Sequence, residues 1–314
     1  MADFSSLPVG LRCVFLRAPR RIVNVANFCE VSPMALKAFI LNPLIGLLVL
    51  GTIFFVLENV VGRAVPQRVF RRGFWLDVVY LFVAPLLKVA TRITLIVPAS
   101  LLLLSGVTSL EVFRAHQYQG FGPVNWQPQW LQIIEIVLLA DLSGYGIHRL
   151  FHTGRWWPFH AIHHSSESVD WLSAVRVHPV NELFDKIAQV TPVLLLGYNP
   201  TVTMAFVPFL TLYAIYIHAN LNWDNGPLRA VLASPVFHRW HHSKAPAARN
   251  KNFAGLFPIW DILFKTYYMP KDLKPEIFGI DETLPAHYPG QFWAPFAALF
   301  ARRPAPLTQR EPNP

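Results

Sequence analysis

Residues 131–152 read LQIIEIVLLADLSGYGIHRLFH, and this stretch decides what kind of chain it belongs to. Through Ala140 it is apolar apart from Gln132 and Glu135, as a helix lying against lipid must be. Polar residues then begin to recur on one face. Asp141, Tyr145, His148 and His152 follow at steps of four, three and four, the spacing that keeps helical side chains in one stripe. One helix therefore joins a membrane-compatible half to a half that presents a carboxylate, a phenol and two imidazoles to a common point. Thr153-Gly154 supplies its stop.

Working outward, Leu36 to Val61 is a largely apolar stretch with Asn42, Pro43 and Glu58 among its breaks, and about 20 residues suffice to cross the hydrocarbon core. Trp75 to Val107 is longer than one crossing needs and contains Lys88 and Arg92, so it is either one tilted helix or two helices meeting there. Thr108 to Trp130 is a connection broken by Gly120, Gly122, Pro123 and Pro128. Ile187 to Leu221 is apolar but interrupted at Gly197-Tyr-Asn-Pro200, which predicts a helical hairpin whose two ends lie on the same side. A more polar cap begins at Asn222. The expected fold is all-α: a multi-pass transmembrane helical bundle with a cytosolic helical cap carrying a histidine-rich dimetal site. Its domains read as a basic N-terminal segment (1–35), one membrane domain (36–301, histidine core 131–270) and a disordered tail (302–314).

Composition agrees. The chain is 53% hydrophobic and 14% charged, against about 25% charged in an average soluble domain. Mean hydropathy is +0.35 and the formal charge +9. Arg12, Arg17, Arg20 and Arg21 precede the first apolar run, and Arg63, Arg68, Arg71 and Arg72 follow it, as basic residues do beside anionic headgroups. They form no interleaved aromatic stripe, which argues against nucleic acid. Cys13 and Cys29 stand far from every histidine, so neither a disulfide framework nor a cysteine zinc site is expected. Residues 1–33 offer no secretory signal. The loop before Leu131 holds only Arg114 while the histidine-rich side is basic, which puts the site on the cytoplasmic side.

The twelve histidines carry the chemistry. His148 and His152 stand in H-R-L-F-H, His160, His163 and His164 in H-A-I-H-H, and His238, His241 and His242 in H-R-W-H-H. His178 and His218 stand singly, and His116 and His287 fit no pattern. One H-x-x-H-H is expected in roughly 2% of random chains of this composition, so two together are a specific signal. Members at i, i+3 and i+4 share a helix face, so each cluster can aim at one point. Burying eight imidazoles without metal would leave many polar nitrogens to satisfy. Eight to ten histidines exceed what one ion takes, and imidazole suits iron, copper or zinc.

At these residues the chain resembles the fatty acid hydroxylase and sterol desaturase superfamily, membrane enzymes with three histidine boxes. The first box is similar to Asp141–His152, the second to His160–Ser165 and the third to His238–His242. Arg176-Val-His-Pro179 with Glu182, the His218-Ala-Asn220 stretch, and Asn252-Phe-Ala-Gly255 followed by Trp260-Asp261 and Phe264 also resemble members. The likeness covers about 131–270. It implies two iron ions, dioxygen as co-substrate, a separate electron donor such as a ferredoxin or cytochrome with its reductase, and oxidation of a membrane lipid. It implies that His148, His152, His160, His163, His164, His178, His218, His238, His241 and His242 hold metal. Asp141 and Glu182 would then accept ring N–H bonds, Tyr145 would lie beneath the imidazoles, and Arg149 and Arg239 would anchor carboxylates or a headgroup. Two positions depart: Lys265 stands where many members have Gly, and Asn250 where an Asp often stands. Both lie outside the boxes and bear on local backbone or substrate contacts.

Hydroxylation, desaturation and ether-lipid cleavage use the same ligands; the His163-His-Ser-Ser-Glu167 run also occurs in ether-lipid monooxygenase relatives. Phe206, Phe209, Tyr213 and Tyr216 on the hairpin could admit an apolar substrate from the bilayer, and Trp156 and Trp157 read as interfacial anchors. A metal transporter would place ionisable groups near the bilayer midplane, and a zinc hydrolase would use fewer ligands. No G-x-G-x-x-G or C-x-x-C-H occurs. The absence of a retrieval signal at Gln309–Pro314 favours a bacterial inner membrane over the endoplasmic reticulum.

Overall fold

A computed structural model describes residues 33–106 and 120–300, with Ser109 and Glu111 between them. Cys13, Cys29, the arginines at 12, 17, 20 and 21, Arg114, His116 and the 302–314 tail lie outside the described residues. The chain divides into two compact units, Met1–Leu41 and Asn42–Pro314. In the first, the described residues open helix α1; the site lies wholly in the second.

The described residues are helical, with two isolated β-bridges and no strand. In chain order the main helices are α1 Pro33–Val60, α2 Phe74–Val83, α3 Lys88–Leu104, α4 Gln129–Phe151, α5 Trp157–His164, α6 Pro179–Leu195, α7 Pro200–His218, α8 Pro235–His241, α9 Ile259–Leu263 and α10 Tyr288–Phe300. Three stretches are long and apolar enough to cross a membrane: Leu41–Val60, Gln129–Phe151 and Pro200–His218. Their outward faces stay exposed, with Leu48, Phe55, Ile134 and Leu212 uncovered, as lipid-facing side chains would be. The protein is a membrane protein on this ground.

The apolar run from Trp75 is two helices. A single 3-10 turn, Ala84–Leu87, separates α2 from α3 just before Lys88. The hairpin forms about its predicted break, with Asn199 capping α7 by accepting from Thr201 N at 2.8 Å. Its first arm begins earlier than hydropathy suggested, at Pro179. The polar residues Glu182, Asp185, Lys186 and Gln189 occupy one face of α6 and line a cavity, so they mask a helix whose other residues are mostly apolar. The turn is tight: Phe121 N donates to Gly197 O at 2.8 Å, and a Cβ on Gly120 or Gly197 would overlap the opposing backbone. Both glycines have positive φ, at 76° and 90°.

At the other end of the helices, Ala64 N donates to Asn220 O and Asn222 N to Gly62 O, pairing the segments that follow α1 and α7. Phe54 stacks on Trp171 above a small core of Ile215, Ala219 and Leu221. The same end holds a buried ion network. Arg71 reaches Asp77 and Asp170, and Arg176 reaches Asp77, with all four side chains nearly or fully buried. These bonds join the segment after α1, the start of α2 and the loop after α5.

Candidate metal centre

Nine histidines gather into two groups, and within each the candidate ligand nitrogens lie within 4.8 Å of one another. His148, His152, His160, His164 and His241 form one; His163, His218, His238 and His242 form the other. Each H-x-x-H-H was expected to aim at one point, but it divides between both. The i and i+4 members of the second box, His160 and His164, join the first group while His163 joins the second. In the third box His238 and His242 join the second group and His241 the first. The two groups abut, with the His164 and His242 rings stacked at 4.4 Å.

The hydrogen bonds on the outer nitrogens fix the ring tautomers, and these decide what the inner nitrogens can do. His148 Nδ1 donates to Phe253 O at 2.7 Å and His160 Nδ1 to Asn181 Oδ1 at 2.6 Å. His163 Nδ1 donates to Arg176 O at 3.2 Å, His218 Nδ1 to Ala214 O at 2.6 Å, and His241 Nδ1 to Lys251 O at 2.7 Å. A neutral ring protonated on Nδ1 carries a lone pair on Nε2. Yet His148 Nε2 lies 3.0 Å from His160 Nε2, and His218 Nε2 lies 3.0 Å from His163 Nε2. In each group two lone pairs face each other with no proton between them. Burial opposes relief by charging: it pushes His160, His163, His164, His238, His241 and His242 well below the ordinary imidazole value. His152 Nε2 and His241 Nε2 are also buried without a hydrogen-bond partner.

A cation resolves all of this. Adjacent Nε2 atoms 3.0–3.1 Å apart are close enough that neighbouring rings would share one ion. The donor set fits two metal ions held by imidazole.

The other predicted site residues take different places. His178 joins neither group: its Nδ1 accepts from Val180 N at 3.1 Å as the N-cap of α6, and its Nε2 donates to Phe292 O at 3.0 Å. Asp141 does not meet a histidine ring. It accepts from Leu256 N, Phe257 N and Trp260 Nε1, fastening the 253–260 loop to α4. Glu182 lines the cavity 3.7 Å from Lys186. Tyr145 is buried against Phe253 and bonds Thr266 and Arg149. Arg239 is fully buried, donating to Val169 O and lying over Phe278. Trp157 packs beside the His152 and His164 rings and donates to Glu282. Asn250 lies beside His152, so that departure touches a candidate ligand. Sequence reasoning missed Asn181, held by Asp185 Oδ2 at 2.8 Å, and gave no role to Asp261, which accepts from Phe253 N and Ala254 N. Asn181 sits between Pro179 and Glu182, both named above, but the carbonyl partners have no side-chain signature at all.

A cavity of about 340 Å³ opens against both groups, a volume within the range of small-molecule sites. His148, His160, His163, His218 and His238 form one end, and Ala140, Ala174, Leu210, Tyr213 and Ile217 form apolar walls. Of the hairpin aromatics, Tyr213 reaches this cavity, Phe206 lines a smaller cleft beside it, and Phe209 faces outward.

Residues 133–266 match the family model described as fatty acid hydroxylase. The chain is 29% identical to ornithine lipid hydroxylase OlsE of Rhizobium tropici over 59% of each chain. It is 34% identical to alkylglycerol monooxygenase of Danio rerio over 48% of this chain and 34% of that one. It is 31% identical to C-4 methylsterol oxidase erg25 of Schizosaccharomyces pombe over 43% of this chain and 46% of that one. The matches span between a third and three fifths of these relatives' lengths, and no solved structure matches. The region matched contains all nine gathered histidines, and through it the chain is similar to the fatty acid hydroxylase family.

Proposed function

We propose that this protein is a membrane-bound di-iron oxygenase that hydroxylates a C–H bond of a membrane lipid, with electrons from a separate protein donor. The observation that supports the reading is the pair of facing imidazole lone pairs at 3.0 Å, one in each group, which bound cations would reconcile. Two irons bound there would supply reductive activation of dioxygen, with two electrons and two protons taken up, one oxygen atom going to the lipid and the other to water. The chain's residues do the rest. Carbonyls of Phe253, Arg176, Lys251 and Ala214 and the amide of Asn181 keep Nδ1 of His148, His163, His241, His218 and His160 protonated, so the Nε2 of these five rings stays free to bind. Apolar walls from α4 and α7 exclude water and align a hydrocarbon segment against the histidine end of the cavity.

Hydroxylation is favoured over desaturation because two of the named relatives are a hydroxylase and a monooxygenase. Ether-lipid oxidation is the second reading, supported by the 34% identity to alkylglycerol monooxygenase across the boxes. Anaerobic purification with iron quantification, then lipid mass spectrometry of cells with and without the protein, tests both. Two irons per chain and an oxygen-dependent gain of one oxygen atom in one lipid class are expected; ether cleavage would instead release an aldehyde and a glycerolipid. His163→Ala and His241→Ala should each abolish turnover and lower iron content, while His287→Ala should do neither. Full turnover in either of the first two would remove the assignment.

A further inference from the structure

Residues 253–264 have two faces with different partners. On the inner side Phe253, Gly255 and Leu256 line the cavity. On the outer side Ile259, Ile262, Leu263 and Phe264 are 40%, 42%, 61% and 49% exposed. A contiguous group of large apolar side chains on a surface marks an interaction site, and its place on the molecule says with what.

The segment is fastened to α4 at two points, by the three hydrogen bonds that Asp141 accepts and by Phe264 stacked on Tyr145 at 5.3 Å. Tyr145 and Asp141 lie three and seven residues before His148, so at about 1.5 Å per residue α9 sits roughly 5–10 Å below the histidines along a helix able to cross a bilayer. Interfacial helices bury their apolar faces roughly 5–10 Å into the headgroup and acyl boundary. Ile134, Leu138, Asp141 and Tyr145 form one stripe of α4. The upper two are buried beneath this segment, and the lower two, Ile134 and Leu138, are exposed. The patch therefore continues the outward face of a candidate spanning helix. Its upper rim is basic: Arg149 and Lys265 are exposed, and Lys251 Nζ donates to Lys265 O. Cations at that level suit anionic headgroups.

We infer that α9 and Phe264 are seated in the bilayer interface, with lipid headgroups against Lys251 and Lys265, so that one loop is a wall shared by the membrane and the cavity. The full chain, with Cys13 and Cys29 changed to Ser, is reconstituted one copy per nanodisc in lipid containing phosphatidylglycerol. A nitrobenzoxadiazole label is placed on Leu263→Cys. Reference labels go on Leu48→Cys, 68% exposed on α1, and on Asp281→Cys, whose side chain is 77% exposed. With doxyl lipids carrying the quencher near the headgroup, the label at 263 should be quenched at least about half as strongly as that at 48, and should emit to the blue of that at 281. Weaker quenching overturns the inference; a blue shift without quenching assigns the patch to a second copy or another protein. The readout needs neither iron nor turnover, so failure of the oxygenase reading leaves it standing. An unquenched label at Leu48 would overturn it together with the membrane assignment.

Discussion

His160 and His178 are both buried imidazoles, and their hydrogen bonds separate their roles. His160 has its Nδ1 committed to Asn181 and its Nε2 among four other rings; His178 has both nitrogens spent on backbone, one capping α6 and one reaching Phe292. His178→Ala should leave iron content unchanged while removing a helix cap worth about 1 kcal/mol, plus the packing lost from a fully buried ring. His160→Ala should lower iron content. Metal quantification beside a thermal melt separates the two, and loss of iron from folded His178→Ala protein would restore that residue to the ligand set. The spacing of the boxes was readable because i, i+3 and i+4 positions share a face whatever surrounds them. His178 was not, because a histidine beside Pro179 reads alike as ligand or cap until the backbone is in place.

At the scale of elements, the boxes were legible and their scaffolding was not. The second box takes its support from Arg176, whose carbonyl receives His163 Nδ1 and whose guanidinium is held by Asp77 of α2. Nothing in the spacing of Asp77, Arg71 and Asp170, spread across 99 residues, announces that they meet. Asp77→Asn leaves two buried guanidinium groups short of a counter-charge, a loss of about 3–5 kcal/mol. The variant should melt earlier and release metal faster to a chelator; wild-type values for both would disprove this link. The closing loop gives an opposite case. Lys265 has φ 60°, a left-handed conformation that costs a side-chain-bearing residue about 1–2 kcal/mol. That accounts for the Gly that many similar chains carry there. Lys251 bonds the backbone oxygen of Lys265, so the side chain itself is dispensable to that contact. Lys265→Gly should raise the melting temperature, and a lowered one would show that its side chain holds the loop.

For the whole molecule, the direction in which the helices end sets the side on which the chemistry occurs. α1, α4 and α7 all finish at the histidine end: Ala64 pairs with Asn220, and His148 and His218 belong to the two groups. The hairpin of α6 and α7 returns the chain there, as its turn signal predicted, because Gly197 lies against Phe121 at the far end. Basic residues follow the same asymmetry. Arg63, Arg68, Arg72, Lys244, Arg249 and Lys251 gather near the histidines, while the described far-end segments 120–135 and 195–203 contain no Lys or Arg. Short loops rich in Lys and Arg stay in the cytoplasm, so the metal end should face it, where soluble electron donors are available. The Asp281→Cys variant, with both native cysteines replaced, reports this directly in a bacterial host. A membrane-impermeant maleimide should label it in inverted vesicles and not in intact cells. Labelling confined to intact cells would put the site on the opposite face, and the donor would then have to be sought outside the cytoplasm.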